Sequence, residues 1–269
     1  MKLLNFIPDG VQGCSVEAWL HTHNQTSGMQ KGSRPAVIIC PGGGYVNVSE
    51  REAEPVAREF FVAGYHTFIL RYSVKEKAKD FEPLCQLAAT IAHVRKNKEA
   101  WFVEEDKIAV CGFSAGAHLA GSLGTLYLEP RFLEKFGRQD HICPDAMILC
   151  YPVITSDEFA HKGSIMRVSG DPDCGENYRW FGLDQHVGEH TPPTFLWHTA
   201  EDKGVPVENS LKMAMALSKA KVPFAYHVFP KGGHGIATCT REVGSEYVYN
   251  RRWVQLCKDW LNDLFDFAL

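Results

Sequence analysis

Short apolar runs alternate with amphipathic stretches along most of the chain. The runs that we predict as strands lie at 16–21, 35–40, 66–70, 107–111, 145–151, 194–198 and 224–229. The stretches compatible with helices lie at 49–64, 83–98, 117–123, 207–220 and 245–265. Strands that are apolar on both faces and alternate with helices are typical of a parallel sheet covered on both sides. We therefore predict an α/β fold with a mostly parallel central sheet and helices on both faces.

The predicted helix at 49–64 has end signals of its own. Ser49 is followed three residues later by Glu52, which is the spacing of a capping box. Gly64 suits a helix C-terminus, because glycine adopts the left-handed conformation without strain. We predict that Ser49 begins this helix and that Val56 and Phe60 face inward.

No internal repeat, low-complexity tract or linker rich in Pro, Gly and Ser divides the chain. We therefore predict a single domain over residues 1–269. Residues 129–144 and 155–193 are the only long insertions between predicted strands. We expect both to lie over the active-site edge and to form a small lid there.

The composition narrows the class of partner. Apolar residues make up 45% and charged residues 22%, with a net charge of −4, so the chain has no basic footprint for nucleic acid. No apolar run approaches the roughly 18 residues of a membrane span, and we expect no membrane partner. We expect no metal and no cofactor. The sequence does not decide between a monomer and a homo-oligomer.

Cysteine usage and the N-terminus bear on the compartment. The nine cysteines form no C-x-x-C pair, and several lie at the ends of apolar runs, where they resemble small buried hydrophobic residues. Residues 1–8 are broken too early by a proline to resemble a signal peptide. A reducing, cytoplasmic location is the expectation that follows.

One pentapeptide carries candidate chemistry. Gly112-Phe113-Ser114-Ala115-Gly116 follows the predicted strand 107–111 and precedes a helix-compatible run of small residues. A strand, a tight turn and a helix in this order hold a serine hydroxyl exposed on a strained bend. Ser114 is therefore a candidate nucleophile. The alternative is that it only caps the helix.

Three other strand ends bear residues that could act with Ser114. Ligands bind at the carboxyl ends of parallel strands, so these positions should meet at one edge of the sheet. The strand 35–40 is followed by Gly42-Gly43-Gly44, 194–198 by Glu201 and Asp202, and 224–229 by a loop containing His234.

These residue types work together in acyl transfer. A histidine can take the proton of a serine hydroxyl near neutral pH, and a carboxylate fixes the histidine tautomer. We predict His234 as the base and Asp202 as the acid, with His198 and Glu201 as their rivals. Backbone N–H groups of Gly43, Gly44 and Ala115 would stabilise the oxyanion, although the glycines could also form a plain turn.

The motifs together resemble a known family. The Pro-Gly-Gly-Gly-Tyr turn, Gly-Phe-Ser-Ala-Gly-Ala-His-Leu-Ala, Trp-His-Thr-Ala-Glu-Asp and Phe-Pro-Lys-Gly-Gly-His-Gly are similar to those of the α/β-hydrolase superfamily. Within it, they resemble the bacterial carbohydrate-esterase group related to bifunctional feruloyl/acetyl-xylan esterases. The resemblance implies the α/β-hydrolase fold, the triad Ser114, Asp202 and His234, and the same oxyanion hole. Pro41 stands where hormone-sensitive-lipase-like relatives have His, which weakens assignment to that group.

Aromatic residues near these turns and in the second insertion are candidates for substrate binding. Their faces suit sugar rings or an aromatic acyl group. The alternative is that they pack the insertion against the body of the protein. The candidates are Tyr45, Phe113, Tyr178, Trp180 and Phe181.

We therefore expect a serine esterase whose partner is a small acylated molecule. It would remove short acyl groups, most plausibly acetyl, from sugars or small oligosaccharides through an acyl-enzyme on Ser114. Two alternatives use the same triad: a small-amide hydrolase resembling arylformamidases, and a peptidase. A non-catalytic binding protein is the remaining alternative, and it is disfavoured because no triad member is missing.

Overall fold

The computed structural model describes residues 1–22, 32–137 and 141–269. The strands are β1 Lys2–Phe6, β2 Ser15–Leu20, β3 Arg34–Cys40, β4 His66–Arg71, β5 Val103–Phe113, β6 Ala146–Cys150, β7 Thr194–Thr199 and β8 Phe224–Phe229. The helices are α1 Glu54–Val62, α2 Glu82–Lys96, α3 Lys98–Trp101, α4 Ala115–Leu126, α5 Pro130–Phe136, α6 Lys162–Ser169, α7 Glu176–Trp180, α8 Glu208–Lys219 and α9 Arg252–Phe265.

The strands form a single sheet in the order β1-β2-β4-β3-β5-β6-β7-β8. β2 pairs antiparallel with both β1 and β4, and the remaining neighbours are parallel. This arrangement confirms the α/β-hydrolase fold. The exposed antiparallel strand β1, at the edge of the sheet, was not predicted from the sequence.

The register of the parallel strands brings their carboxyl ends to one edge. Cys40 of β3 pairs with Gly112 of β5, and Phe113 pairs with Cys150 of β6. On the far side, Thr199 of β7 pairs with Phe229 of β8. Every loop that carries a predicted site residue therefore leaves the sheet at the same edge.

The core has two layers because successive strand residues point to opposite faces of the sheet. Ile38 and Val110 pack with α2, α4 and α8, whereas Val37 and Ala109 pack with α1 and α9. Burial on both faces explains why the central strands are continuous apolar runs in the sequence. No helix in the described part of the chain is long and apolar enough to cross a bilayer.

The predicted helix start at Ser49 is wrong. Residues Glu50–Glu52 form a separate turn of 3₁₀-helix, and α1 begins at Glu54 with proline in its first turn. Ser49 makes no side-chain capping bond, and Glu52 is buried instead of completing a capping box. The 3₁₀ turn changes the direction of the chain, so the Glu52 side chain points into the protein.

The two insertions pack on each other. The guanidinium of Arg131, in α5, lies 4.4 Å from the ring centroid of Trp180, in α7. Phe132 and Trp180 both contact Phe81, with ring centroids 6.0 and 5.6 Å from that of Phe81. These contacts join the insertions into one layer beside α2.

Candidate active site

Ser114 occupies a strained turn between β5 and α4. Its φ of 55° and ψ of −116° lie outside the regions that L-residues favour. Its N–H donates to the Cys150 carbonyl (3.0 Å), and its carbonyl accepts from the N–H of Val153 (3.2 Å). β6 and the segment that follows it thus hold the bend from both sides, and Ser114 is only 6% exposed.

Both glycines of the pentapeptide are required for steric reasons. A Cβ on Gly112 would overlap the carbonyl oxygen of Gly116. A Cβ on Gly116 would overlap the carbonyl oxygens of Cys40 and Pro41. Any side chain at either position would therefore push α4 away from β3 and β5 and open the turn around Ser114.

The predicted serine, histidine and aspartate come together at the sheet edge. Ser114 Oγ lies 2.7 Å from His234 Nε2, and His234 Nδ1 lies 2.7 Å from Asp202 Oδ2. Ser114 follows β5, Asp202 follows β7 and His234 follows β8. This geometry allows proton transfer from the hydroxyl to the imidazole, with the carboxylate orienting the ring.

The Asp202 carboxylate is buried and fully bonded. Its Oδ1 accepts from the N–H groups of Gly204 (2.8 Å) and Val205 (2.9 Å), and its Oδ2 also lies 3.3 Å from His198 Nε2. Burial favours the neutral acid, but hydrogen bonds from His198 and His234 outweigh it and lower the pKa of Asp202. Asp202 is therefore an anion at neutral pH.

The rival residues have other positions. His198 is fully buried beneath Asp202, where its Nδ1 pairs with Ser210 Oγ at 2.9 Å and its Nε2 with the Val205 carbonyl at 3.0 Å. Glu201 is exposed, and its carboxylate lies 3.4 Å from the N–H of Gly232. Neither residue takes the place predicted for His234 or Asp202.

The glycine loop after β3 passes directly beside Ser114. An added Cβ on Gly42 would lie 2.7 Å from the Phe113 carbonyl oxygen and 3.0 Å from Ser114 Cβ. Gly43 and Gly44 have φ of 125° and 63°. Among the described residues, the N–H groups of Gly43, Gly44 and Ala115 have no hydrogen-bond acceptor. They are available to a ligand atom, and Ala115 adds the positive end of the α4 dipole.

A cleft of about 650 Å³ opens over Ser114 and His234. Polar and apolar atoms contribute about equally to its walls, and the second insertion contributes to them only through His161. The lining residues in the described part of the chain are Gly43, Gly44, Asn47, Val48, Ser49, Glu50, Arg51, Glu52, Ser114, His161, His234 and Gly235. The described residues of the first insertion, 129–137 and 141–144, take no part in this lining.

The predicted aromatic contacts to substrate are wrong. Tyr45 and Phe113 are fully buried, and Tyr178 and Phe181 are nearly so. Trp180 is half-buried within the layer formed by the insertions. Burying large rings removes much apolar surface from water, so these side chains pack the body and the insertion, as the alternative interpretation held.

Two of these rings lie directly behind the catalytic turns. The hydroxyl of Tyr45 pairs with His118 Nδ1 at 3.0 Å. The ring of Phe113 packs on Tyr151 and Trp253. They support the loops from within and do not face the cleft.

Sequence reasoning missed three residues at this edge: Glu52, Tyr151 and His161. Glu52 gave a signal that was interpreted as helix capping. Tyr151 ends a predicted strand, where nothing distinguishes it from a core aromatic residue. His161 is one of twelve histidines and lies in an irregular insertion, so no pattern singles it out.

Two histidines four residues apart, His186 and His190, have a spacing that metal sites use. Here His186 Nε2 lies 2.7 Å from the Trp180 carbonyl oxygen, and His190 Nε2 lies 3.0 Å from that of Thr125. Over residues 1–22, 32–137 and 141–269, no three His, Cys, Asp or Glu side chains are grouped as metal ligands.

Comparison with known proteins gives two family matches. The profile of the BD-FAE family matches residues 25–161, about half of the chain, and that of the prolyl oligopeptidase family matches residues 150–263. The first match covers the glycine loop and Ser114. The second covers Asp202 and His234.

Individual relatives agree with the first match. Endo-1,4-beta-xylanase B of Butyrivibrio fibrisolvens is 35% identical over 80% of this chain, and the acetylxylan esterase of Xylanibacter ruminicola is 25% identical over 85%. The chain spans only 35% and 45% of the lengths of these two relatives.

Two solved structures match most of the chain. An acetyl ester-xyloside bifunctional hydrolase from Caldicellulosiruptor lactoaceticus is 34% identical with a TM-score of 0.80, covering 95% of this chain and 89% of its own. A carboxylesterase from Lactobacillus plantarum is 27% identical with a TM-score of 0.87, and the alignment covers 100% of both chains. The chain belongs to the BD-FAE family and is an α/β-hydrolase of the carbohydrate-esterase-like group.

Proposed function

We propose that the protein is a serine carboxylic ester hydrolase that removes short acyl groups, above all acetyl, from sugars or small oligosaccharides. The observation that carries the proposal is the Ser114–His234–Asp202 triad, with two 2.7 Å contacts, at the base of the cleft. Relatives named as an acetylxylan esterase and an acetyl ester-xyloside hydrolase support this substrate class.

The first half-reaction forms an acyl-enzyme. His234 Nε2 takes the proton of Ser114 Oγ as the oxygen attacks the ester carbonyl carbon. The carbonyl oxygen becomes an oxyanion and accepts hydrogen bonds from the amides of Gly43, Gly44 and Ala115. The tetrahedral intermediate then collapses, the bond to the sugar oxygen breaks, and His234 gives its proton to that oxygen.

The second half-reaction hydrolyses the acyl-enzyme and regenerates the free enzyme. A water molecule loses a proton to His234 as it attacks the acyl carbon, and the oxyanion is stabilised in the same place. Collapse breaks the bond to Ser114 Oγ, which regains its proton, and the carboxylic acid leaves. Asp202 stays ionised throughout, because its hydrogen bonds keep its pKa low.

The lining of the cleft favours a sugar over a lipid. Val48 is the one aliphatic side chain larger than alanine in the lining that the structure describes, whereas Asn47, Ser49, Arg51 and His161 offer hydrogen bonds. Ser164 Oγ holds His161 Nδ1 at 2.8 Å, which leaves Nε2 for a substrate hydroxyl. A long acyl chain would find no group of aliphatic side chains in this lining to pack against, so we propose short-acyl preference.

The match to the prolyl oligopeptidase family favours a second candidate, the hydrolysis of small amides or peptides by the same three residues. An amide nitrogen is a poorer leaving group than a sugar oxygen, so it needs fuller protonation by His234. An N-formyl aryl amide and a prolyl 4-nitroanilide would reveal this activity directly.

A substrate panel tests the ester proposal. We expect kcat/KM to fall by about tenfold or more from 4-nitrophenyl acetate to the octanoate, because the described lining offers the added methylenes only Val48 as an aliphatic side chain larger than alanine. Acetylated xylose and xylo-oligosaccharides should release acetate faster than the amides react. Preference for octanoate would contradict the short-acyl proposal, and faster turnover of the amides would favour the second candidate.

Replacing Ser114 with alanine tests the nucleophile. We expect Ser114→Ala to lower kcat by at least about 10⁴-fold, because no acyl-enzyme can form. The matched control is Ser122→Ala on the same helix, whose hydroxyl lies 3.4 Å from His118 Nδ1. The control should retain turnover within about threefold, and both variants should show the circular dichroism of the parent. Retained activity in Ser114→Ala would refute the proposed mechanism.

A further inference from the structure

One buried carboxylate at the site, that of Glu52, does not belong to the Ser114–His234–Asp202 triad. Glu52 follows the glycine loop by eight residues and is 3% exposed. Its Oε2 accepts from the N–H of Gly42 at 2.7 Å, and its Oε1 accepts from the Tyr151 hydroxyl at 2.7 Å. The side chain thus joins the loop that carries the oxyanion amides to the segment that follows β6.

Tyr151 extends this connection to the loop of the catalytic histidine. Its hydroxyl also accepts from the N–H of Ala237 at 2.9 Å, three residues after His234. The ring packs edge-on against the His234 imidazole, with centroids 5.1 Å apart and planes at 70°. The carbonyl of Ala237 accepts in turn from Trp253 Nε1 at 2.9 Å, which ties the loop to α9.

The electrostatics of Glu52 are unfavourable for a purely structural residue. Burial raises its pKa, while hydrogen bonds from Tyr151 and Gly42 and the proximity of His234 oppose that rise. No Lys or Arg among the described residues lies within 4 Å of its carboxylate. A buried carboxylate without a cation is costly, and well-packed apolar groups often serve stability as well or better.

The hydrogen bond from Gly42 to Glu52 restrains a part of the chain with wide conformational freedom. Gly42 precedes two glycines with positive φ, and glycine has the widest choice of backbone conformations. Oxyanion amides must lie within tenths of an ångström of their required positions, and a displacement of about 1 Å can cost about 10²-fold in rate. An anchor on the Gly42 amide would restrict that displacement.

We infer that Glu52 is a positioning residue of the active site. It fixes the oxyanion loop through Gly42, and through Tyr151 it fixes that loop relative to the segment after His234. The inference rests on the proposed function only in requiring that Ser114 reacts through an oxyanion. It does not depend on which acyl group or which alcohol the substrate carries.

Steady-state kinetics with 4-nitrophenyl acetate provide the first test. Glu52→Ala should lower kcat by about 10²-fold and change KM by less than about threefold, because the amides bind the transition state more than the ground state. Glu52→Gln should restore activity to within about tenfold of the parent. Its carbonyl can accept from Gly42, and its amide can donate to the Tyr151 oxygen.

The matched control is Glu54→Gln, two residues further along the chain. Glu54 is exposed and pairs with Arg58 at 2.9 Å, outside the cleft, so its loss should leave kcat within about twofold. Parent-like kcat in Glu52→Ala would overturn the inference. So would a loss in Glu52→Gln as large as in Glu52→Ala, since charge and not position would then matter.

Tyr151→Phe tests the second arm and removes only one oxygen atom. It should lower kcat by about tenfold, and the losses in Glu52→Ala and Tyr151→Phe should combine less than additively in the double variant, because both single changes remove the bond between Glu52 and Tyr151. If Glu52→Ala does not fold, Tyr151→Phe and Glu52→Gln carry the test. Full additivity of the two losses, or parent-like kcat in Tyr151→Phe, would overturn the connection through Tyr151.

Phosphorylation of Ser114 by diisopropyl fluorophosphate gives a readout that is independent of the substrate class. Ser114 Oγ gives its proton to His234 Nε2 as it attacks phosphorus, and the bond to fluorine breaks so that fluoride leaves, while the phosphoryl oxygen occupies the oxyanion position. We expect labelling of Glu52→Ala, followed by intact mass, to be about 10²-fold slower than that of the parent, and equal rates would overturn the inference. A parent that is labelled at Ser114 but releases no acid from sugar esters would refute the proposed substrate and leave the inference supported.

Discussion

At the scale of single residues, Asp202 makes more hydrogen bonds than the orientation of His234 alone requires. Both oxygens of Asp202 are used: Oδ1 by two backbone amides, and Oδ2 by His234 and His198. The carboxylate therefore cannot rotate without losing several bonds. Its lowered pKa and its fixed direction have the same cause, since the bonds that stabilise the anion also orient it.

Replacing Asp202 with asparagine separates charge from packing. We expect Asp202→Asn to lower kcat by about 10³–10⁴-fold, because the amide favours the wrong tautomer of His234 and cannot stabilise its cation. The neighbouring Glu201→Gln is the control and should retain kcat within about twofold, since Glu201 is exposed. Measurement of kcat with 4-nitrophenyl acetate decides the matter. A larger loss in Glu201→Gln would reverse the assignment of the acid.

At the scale of elements, the active site depends on how closely α4 approaches the sheet. The helix begins one residue after Ser114, and its first turn runs beside the end of β3. Gly116 has no room for a Cβ there, because the backbone carbonyls of Cys40 and Pro41 occupy the space. Backbone atoms cannot rotate away as side chains do, so a side chain at Gly116 can be accommodated only if the backbone moves.

A methyl group at Gly116 should therefore destabilise the whole domain. We expect Gly116→Ala to lower the free energy of unfolding by about 3 kcal/mol or more, because β3 and α4 must separate. Gly233→Ala is the control, since a Cβ at Gly233 meets no atom within 4 Å, and it should change stability by less than about 0.5 kcal/mol. Urea unfolding measures both. Equal stability of the two variants would contradict the steric argument.

At the scale of the whole molecule, the two-layered core encloses polar rings as well as apolar ones. His118 lies in α4 and His66 at the start of β4, and both are fully buried. Burial lowers the pKa of each to about 4. An unfolded histidine has a pKa near 6.5, so the unfolded chain binds protons between these values while the folded chain does not.

Stability should consequently fall as the pH is lowered from about 6.5 towards 4. Each histidine contributes up to roughly 3 kcal/mol to this loss, and above pH 6.5 both states are neutral and the effect ends. His118→Gln should reduce the difference in unfolding free energy between pH 7 and pH 4.5 by about 1–3 kcal/mol. His141→Gln, at an exposed histidine, should not change it. The same pH difference in both variants would contradict the assignment.

The strands and helices were predictable because their signals are local. The central strands are apolar runs, and Ser114 lies in the short motif Gly112–Gly116, which is recognisable from five consecutive residues. The order of glycine loop, serine, acid and histidine also followed, because parallel strands end at one edge of the sheet. Those features require only the pattern of the chain and the rules of strand packing.

Long-range packing decided the remainder. Tyr45 is adjacent to the catalytic turns in sequence, yet its partner His118 is 73 residues away and draws the ring into the core. Glu52 fits a capping box locally, yet Tyr151, 99 residues away, bonds its carboxylate inside the protein. The sequence by itself determined the fold class and the candidate triad, whereas the tertiary structure decided which polar and aromatic side chains face the cleft. The physical reason is that burial depends on which distant residues share a space, and no local period encodes that.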